Sequence, residues 1–202
     1  MVANNEVRPL AVDEWSQAAG VAARAMQANP AFVWMLGDDP VARTSQLYEF
    51  MALPPAPGAM LIGAWRGSLL LGCARMTRDG GCIGARAKLL GSPPPFEGAA
   101  PEGPARLPHL MTLYADNEPE WPHWHLGPIA VEPGLQGRGV GHQVMAPLTA
   151  RLDDEGMSAW LETDKLENVR FYEAHGFEID HHEQRFGVDA WLMHRHGPEG
   201  PR

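Results

Sequence analysis

Residues 131–143, VEPGLQGRGVGHQ, lie where a hydrophobic strand is followed by an amphipathic helix. Gly137, Gly139 and Gly141 alternate with other residues in this stretch. Glycines let the backbone turn and let a ligand approach the main-chain amides. The first N–H groups of a helix are unpaired and lie at the positive end of its dipole, and Arg138 adds a full charge. The stretch therefore fits a phosphate-binding turn as well as an ordinary strand-to-helix loop.

Two well-known phosphate-binding loops are excluded by spacing. The Walker loop needs GxxxxGK[ST], and no Lys-Ser or Lys-Thr pair follows the glycines here. The dinucleotide fingerprint needs G-x-G-x-x-G, and His142 stands where its last glycine should be.

Hydrophobic periodicity predicts a mixed α/β sheet rather than a pure doubly wound one, because strands and helices alternate only in the second half. Pro147 should kink its helix, and Asp164 with Glu167 resembles a capping box. The predicted helices span 12–27, 40–51, 138–153 and 165–175, and the predicted strands span 6–10, 59–65, 69–76, 123–131, 157–163, 177–182 and 189–195.

The 202 residues predict one domain over 1–196 and a flexible tail over 197–202. Residues 91–108 are rich in proline, glycine and alanine, which is typical of a mobile loop; the alternatives are a lid or an acceptor-site loop.

Composition limits the classes of partner. The formal net charge of −9 disfavours nucleic acid, and no apolar run is long enough for a membrane helix. The N-terminus lacks a secretory pattern, and Cys73 and Cys82 are too few for a disulfide framework. We therefore expect a soluble cytoplasmic protein with reduced cysteines.

Three ordered motifs resemble one family. The segment IAVEPGLQGRGVG resembles motif A of the GCN5-related N-acetyltransferases (GNAT), Q/R-x-x-G-x-G/A, with Gln136, Gly139 and Gly141 in the fixed positions. The strand HWHLGPIAV precedes it, and ENVRFYEAHGF is similar to the family's N-x-x-x-F/Y-Y-x-x-x-G-F motif. The LET before that motif and the proline in the motif A helix resemble the puromycin N-acetyltransferase-like branch. The first 120 residues match only in the order of elements.

The resemblance implies the GNAT acyl-CoA N-acyltransferase fold, a mostly antiparallel sheet splayed between two parallel strands, with helices on both faces. It implies acetyl-CoA as co-substrate, with the pantetheine arm along the backbone of Ile129, Ala130 and Val131. The pyrophosphate would bind the amides of Gln136, Gly137, Arg138, Gly139, Val140 and Gly141. Asn168 and Tyr172, four residues apart, would share a helix face and address the same ligand.

The implied reaction is direct transfer of acetyl to a primary amine of a small molecule, without a covalent enzyme intermediate. Tyr172 is the candidate general acid, because a tyrosine stays protonated at neutral pH and can donate to a departing thiolate. An alkylamine must lose a proton before it attacks. His125, Glu162 and a water relay are the alternatives for that step, whereas His123 matches no family position.

The histidine pairs His123-x-His125 and His194-x-His196, and the run His181-His182-Glu183, lack a third ligand at motif spacing. The sequence therefore predicts no metal. Two other functions stay open, a non-catalytic acyl-CoA-binding module and a peptide or protein N-acetyltransferase. The acidic balance favours a cationic amine as acceptor. A homodimer is compatible with the resemblance, because dimers are common in that family.

Overall fold

The computed structural model of the chain describes residues 5–82 and 106–198. Most of the loop predicted over 91–108 and the end of the predicted tail, residues 199–202, lie outside these ranges. Within them the strands are β1 (Glu6–Pro9), β2 (Met60–Arg66), β3 (Leu69–Arg78), β4 (His123–Val131), β5 (Ser158–Thr163), β6 (Glu178–Arg185) and β7 (Val188–Arg195). The helices are α1 (Trp15–Met26), α2 (Pro30–Leu36), α3 (Pro40–Met51), α4 (Leu107–Asn117), α5 (Val140–Glu155) and α6 (Leu166–Glu173).

The seven strands form one sheet in the order β1-β2-β3-β4-β5-β7-β6. Every neighbouring pair is antiparallel except β4 and β5, which run parallel at the centre of the sheet. This arrangement confirms the predicted mixed α/β fold.

Helices cover both faces of the sheet. On one face α1 and α3 bury Trp15 and Leu47 against Leu70 and Cys73 of β3. On the other face α5 packs its apolar side, including Val144 and Leu148, against the opposite side of β3. Burying a side chain of this size contributes about 1.5–3 kcal/mol, so the two layers fix the position of the central strands.

Two helices do not follow from the sequence pattern. The first, α2, is only seven residues long, too short to show a helical period. The second, α4, begins at Leu107 with a proline in its first turn, so residues predicted to end the loop are helical. In contrast, α3 occupies its predicted span, because Asp39 accepts hydrogen bonds from the amides of Val41 (2.9 Å) and Ala42 (3.3 Å).

The predicted capping box at the start of α6 is wrong. The helix begins at Leu166 with Lys165 at the N-cap and no side-chain cap. The Asp164 carboxylate instead accepts from the Ala31 amide (2.9 Å) and the Asn29 side chain (3.1 Å). It therefore joins the start of α2 to the end of β5.

We expect Asp164→Ala to lower the free energy of unfolding by about 1–3 kcal/mol, because it leaves the Ala31 amide without its charged acceptor. Denaturant unfolding measures the change. Glu167→Ala, three residues away and exposed, is the control and should change stability by less than about 0.5 kcal/mol. Equal losses in both variants would contradict the assignment.

Candidate active site

The parallel strands β4 and β5 separate along their length. They are paired only where His123, Trp124 and His125 face residues 158–160. On the other side of β4 the ladder with β3 slips, so that the single residue Arg75 faces Gly127 and Pro128. Such a bulge bends a strand. The edge of β4 beyond His125 therefore has no ladder partner in β5 and borders a cleft.

A cavity of about 370 Å³ occupies this cleft. Its wall contains the segment of β4 predicted to hold the pantetheine arm, Ile129, Ala130 and Val131. It also contains every predicted catalytic side chain, His125, Glu162 and Tyr172, and two predicted cofactor-binding residues, Gln136 and Asn168. The predicted residues Gly137, Arg138, Gly139, Val140 and Gly141 follow Gln136 and are not part of the cavity wall. Gly137, Arg138 and Gly139 form the turn that leads into α5, and Val140 and Gly141 are the first two residues of that helix.

That turn depends on glycine at two positions. Gly137 (φ 72°) and Gly139 (φ 82°) adopt the left-handed conformation that other residues rarely enter. Gly139 is the N-cap of α5, so the helix begins two residues later than predicted and leaves its first amides at the mouth of the turn. It also continues through Pro147 to Glu155. The side chain of Gln136 donates to the Val131 carbonyl (3.2 Å) and closes the turn against β4.

Tyr172 and Asn168 lie on one side of α6, both in the cavity wall. The ring of Tyr172 is buried and contacts Phe171 and Phe177 edge-on. Burial, reinforced by the charges of Asp164 and Glu162, raises the pKa of Tyr172 above its ordinary value. The Asn168 amide donates to Thr163 Oγ1 (3.0 Å) and joins α6 to the end of β5.

His125 and Glu162 face each other across the gap between β4 and β5. His125 Nε2 lies 3.2 Å from Glu162 Oε2, and Glu162 Oε1 accepts from the Trp160 indole (3.1 Å). Because a carboxylate only accepts hydrogen bonds, Nε2 carries the hydrogen. Burial disfavours the imidazolium, but the Glu162 charge and the polar side chains of Cys82, Glu118 and Glu162 around the ring outweigh it and hold the pKa of His125 well above its usual range.

Glu118 lies behind His125, at the end of α4, and sequence reasoning missed it. His123 Nε2 lies 3.1 Å from Glu118 Oε1, and the Cys82 thiol lies 2.8 Å from the same oxygen. Burial disfavours the charged form of His123, but hydrogen bonds with Cys82 and Glu118 outweigh it and raise the pKa of His123 to about 9. Hydrogen bonds with His123, His125 and Cys82 outweigh burial and lower the pKa of Glu118 well below its ordinary range. Glu118 lies only five residues before His123, but Cys82 is remote in the chain, so the complete cluster has no local sequence signal.

A parallel strand pair that opens onto a cavity, beside a glycine turn and a buried tyrosine, defines an acyltransferase-like site. A family model described as the acetyltransferase (GNAT) family matches residues 5–177 of this chain. The protein therefore belongs to the GNAT acetyltransferase family and is an N-acetyltransferase by class.

Solved structures share this fold. The histone acetyltransferase HPA2 and related acetyltransferase from Corynebacterium glutamicum is 17% identical, with 98% of this chain and 99% of that chain covered and a TM-score of 0.68. Polyamine N-acetyltransferase from Drosophila melanogaster is 12% identical, with 95% and 99% covered and a TM-score of 0.63. The protein yncA from Salmonella typhimurium, solved with its cofactor acetyl-CoA, is 15% identical, with 98% and 97% covered and a TM-score of 0.57.

Within residues 5–82 and 106–198, none of the helices combines the length and apolar character required to cross a bilayer.

Proposed function

We propose that the protein transfers an acetyl group directly from acetyl-CoA to a primary amine of a small molecule. The observation that carries the proposal is the cavity where the open edge of β4 meets Asn168, Tyr172 and the His125–Glu162 pair. Two structural neighbours fit it, because yncA was solved with acetyl-CoA and the Drosophila enzyme is a polyamine N-acetyltransferase.

Acetyl-CoA binding uses mainly backbone groups in this proposal. The edge of β4 at Ile129, Ala130 and Val131, which has no ladder partner in β5, pairs with the pantetheine arm as an added strand would. The amides of the turn Gln136–Gly141 and the N-terminus of α5 hold the pyrophosphate, because unpaired N–H groups and the helix dipole both favour an anion there. Asn168 then lies beside the pantetheine arm and Tyr172 beside the thioester sulfur.

The reaction moves three protons. The neutral amine nitrogen attacks the thioester carbonyl carbon, the carbon–sulfur bond breaks, the CoA thiolate leaves with the proton of Tyr172, and the proton that the nitrogen loses as the amide forms passes to the Tyr172 phenolate. Before the attack, the resting ammonium group gives its extra proton to Glu162. We assign that role to Glu162 rather than His125 because the hydrogen of His125 Nε2 already points at the carboxylate, so the imidazole presents no lone pair to the cavity from this nitrogen.

The acceptor is proposed to be cationic in its resting form. Glu162 and Asp164 both line the cavity, and the whole chain carries a net charge of −9. An ammonium group is drawn to such a surface. Trp34 and Phe186, stacked with ring centroids 4.6 Å apart, supply apolar walls at the same cavity for the carbon part of the amine.

Several broader assignments belong to the same proposal. Pro147 within α5 and the LET that ends β5 support the puromycin N-acetyltransferase-like branch. Both cysteines are buried thiols, which fits a reducing compartment such as the cytoplasm. We also propose that residues 1–196 form one catalytic domain, which acts as a monomer or as a homodimer.

Thiol release from acetyl-CoA in the presence of an amine panel tests the function. We expect turnover with small aliphatic diamines and little with peptides bearing a free N-terminus. Preference for peptides would replace the proposal by a peptide or protein N-acetyltransferase. Tight acetyl-CoA binding without thiol release for any amine would leave a non-catalytic acyl-CoA-binding module.

We expect Glu162→Gln to lower kcat/KM for an aliphatic amine by about 100-fold or more, because the amide cannot accept the proton. The loss should shrink for an aromatic amine that is already neutral. Glu155→Gln is the matched control, since Glu155 also accepts from an indole (Trp124 Nε1, 2.8 Å) but lies away from the cavity. Equal losses for both kinds of amine would remove Glu162 as the proton acceptor.

A further inference from the structure

Four side chains that could ligate a metal converge behind His125. Cys82 follows β3, Glu118 follows α4, and His123 and His125 lie two residues apart on β4. Cys82, Glu118 and His123 are buried, and the side chain of His125 is 13% exposed. The cluster is therefore enclosed by protein, and polar groups placed there need partners.

Each imidazole is oriented by a bond on one ring nitrogen and turns the other nitrogen toward Glu118. His125 Nε2 lies 3.2 Å from Glu162 Oε2. Its buried Nδ1 has no hydrogen-bond partner among the described residues and lies 3.8 Å from Glu118 Oε2. His123 Nδ1 lies 2.8 Å from the Trp121 carbonyl, which can only accept, so Nε2 is the nitrogen that faces Glu118 Oε1. A histidine that ligates a metal is held in this way, with its other nitrogen donating to a carboxylate or carbonyl.

We propose that Cys82, Glu118 and His125, with His123 alongside, bind one divalent transition-metal ion of the zinc class. The thiol sulfur, a carboxylate oxygen and an imidazole nitrogen of the first three all lie within 4.8 Å of one another. Ligand atoms around tetrahedral zinc stand about 3.5 Å apart, so a closure of about one ångström completes the site. Thiolate and imidazole together select zinc over magnesium or calcium.

The ion would act on positioning and not on the substrate. It would tie the end of β3 to the end of α4 and the start of β4, which lie close together in the chain, whereas Cys82 is remote from both. Bound at Nδ1 of His125, it would keep the Nε2 hydrogen directed at Glu162 and so fix the rotamer of that carboxylate. The inference does not depend on acyl transfer, because metal binding is measured without acetyl-CoA or amine.

The prediction of no metal from the sequence rested on the absence of a third ligand near the histidine pairs. The fold supplies that ligand from Cys82, which is remote in the chain. The other histidines pair with carboxylates as well, but in the described ranges only Cys82, Glu118 and His125 bring three possible ligand atoms within 4.8 Å of one another. His182 Nε2 lies 2.9 Å from Asp189 Oδ1, and His194 Nδ1 lies 3.4 Å from Asp180 Oδ1.

The test uses tag-free full-length protein, stripped with a chelator, loaded with Zn²⁺ and desalted before its metal content is measured. We expect about one ion per chain in the wild type. Cys82→Ala should weaken Zn²⁺ binding by about 100-fold or more, because it removes a direct ligand. Cys73→Ala is the matched control and should bind like wild type, since Cys73 is buried between α1 and β3 with its sulfur 3.7 Å from the Ala18 carbonyl.

A spectroscopic readout keeps the proposal testable if Cys82→Ala fails to fold. Wild-type protein loaded with Co²⁺ should show a thiolate-to-cobalt charge-transfer band and the visible bands of a tetrahedral ion. Absence of retained zinc, absence of the charge-transfer band, or zinc that is lost in His182→Ala but kept in Cys82→Ala would each overturn the site.

Discussion

Tyr172→Phe should lower kcat by about 10²–10⁴-fold while leaving acetyl-CoA affinity unchanged. The substitution removes one hydroxyl and keeps the ring that packs against Phe171 and Phe177, so the fold of α6 should persist. Because burial raises its pKa, Tyr172 holds its proton throughout the neutral range and can donate it only as negative charge develops on the departing sulfur. Steady-state kinetics with calorimetry of acetyl-CoA binding separate the two effects.

The cavity offers a matched control for this experiment. Tyr114 on α4 also lines the cavity, and burial raises its pKa in the same direction, strengthened by Glu162 and Asp164. Tyr114→Phe should therefore retain kcat within a few-fold, because only Tyr172 lies on the helix that also carries Asn168. A Tyr172→Phe enzyme with wild-type turnover, or a Tyr114→Phe enzyme as impaired as Tyr172→Phe, would show that Tyr172 is not the acid.

The fold was predictable where local patterns are long and regular. Alternating apolar residues placed β4, and the hairpin β2–β3 and helix α3 lie close to where periodicity put them. The family motifs supplied the open parallel pair, which no local pattern shows. Prediction failed for α2, whose seven residues are stabilised by Asp164 more than 130 positions away. It also failed for the cap of α6, because the same carboxylate was expected to bind the first amides of that helix. Such contacts exist only once the chain is folded.

The candidate site divides in the same way. Residues carried by continuous motifs, such as Tyr172 and Asn168, lie together in the cavity wall, and their roles stay predictions. His125 and Glu162 lie on the neighbouring parallel strands β4 and β5. The two side chains that were alternatives for removing the proton of the amine are therefore in contact. Glu118 lies close to His123 in the chain but belongs to no motif, and Cys82 reaches the cluster only through the fold, so sequence reasoning found neither.

Gly139→Glu should weaken acetyl-CoA binding by about 100-fold or more, roughly 2.8 kcal/mol. A Cβ at Gly139 would point into open space at the N-terminus of α5, where the proposal places the pyrophosphate. A carboxylate there would repel the phosphates, and one such contact is worth several kcal/mol at about 4 Å near a protein surface. Calorimetric titration with acetyl-CoA measures the loss.

The same helix provides the control that isolates charge from backbone strain. Gly156 caps the other end of α5 with φ 63° and also has open space around its Cβ, so Gly156→Glu introduces the same charge and a comparable strain far from the turn. Gly139→Ala adds the strain without the charge. We expect both controls to keep binding within about tenfold, since αL strain costs only about 1–2 kcal/mol. Equal losses of acetyl-CoA affinity in Gly139→Glu and Gly139→Ala would mean that only the backbone conformation of the turn matters. Unchanged affinity in Gly139→Glu would contradict the proposal that the pyrophosphate binds at this turn.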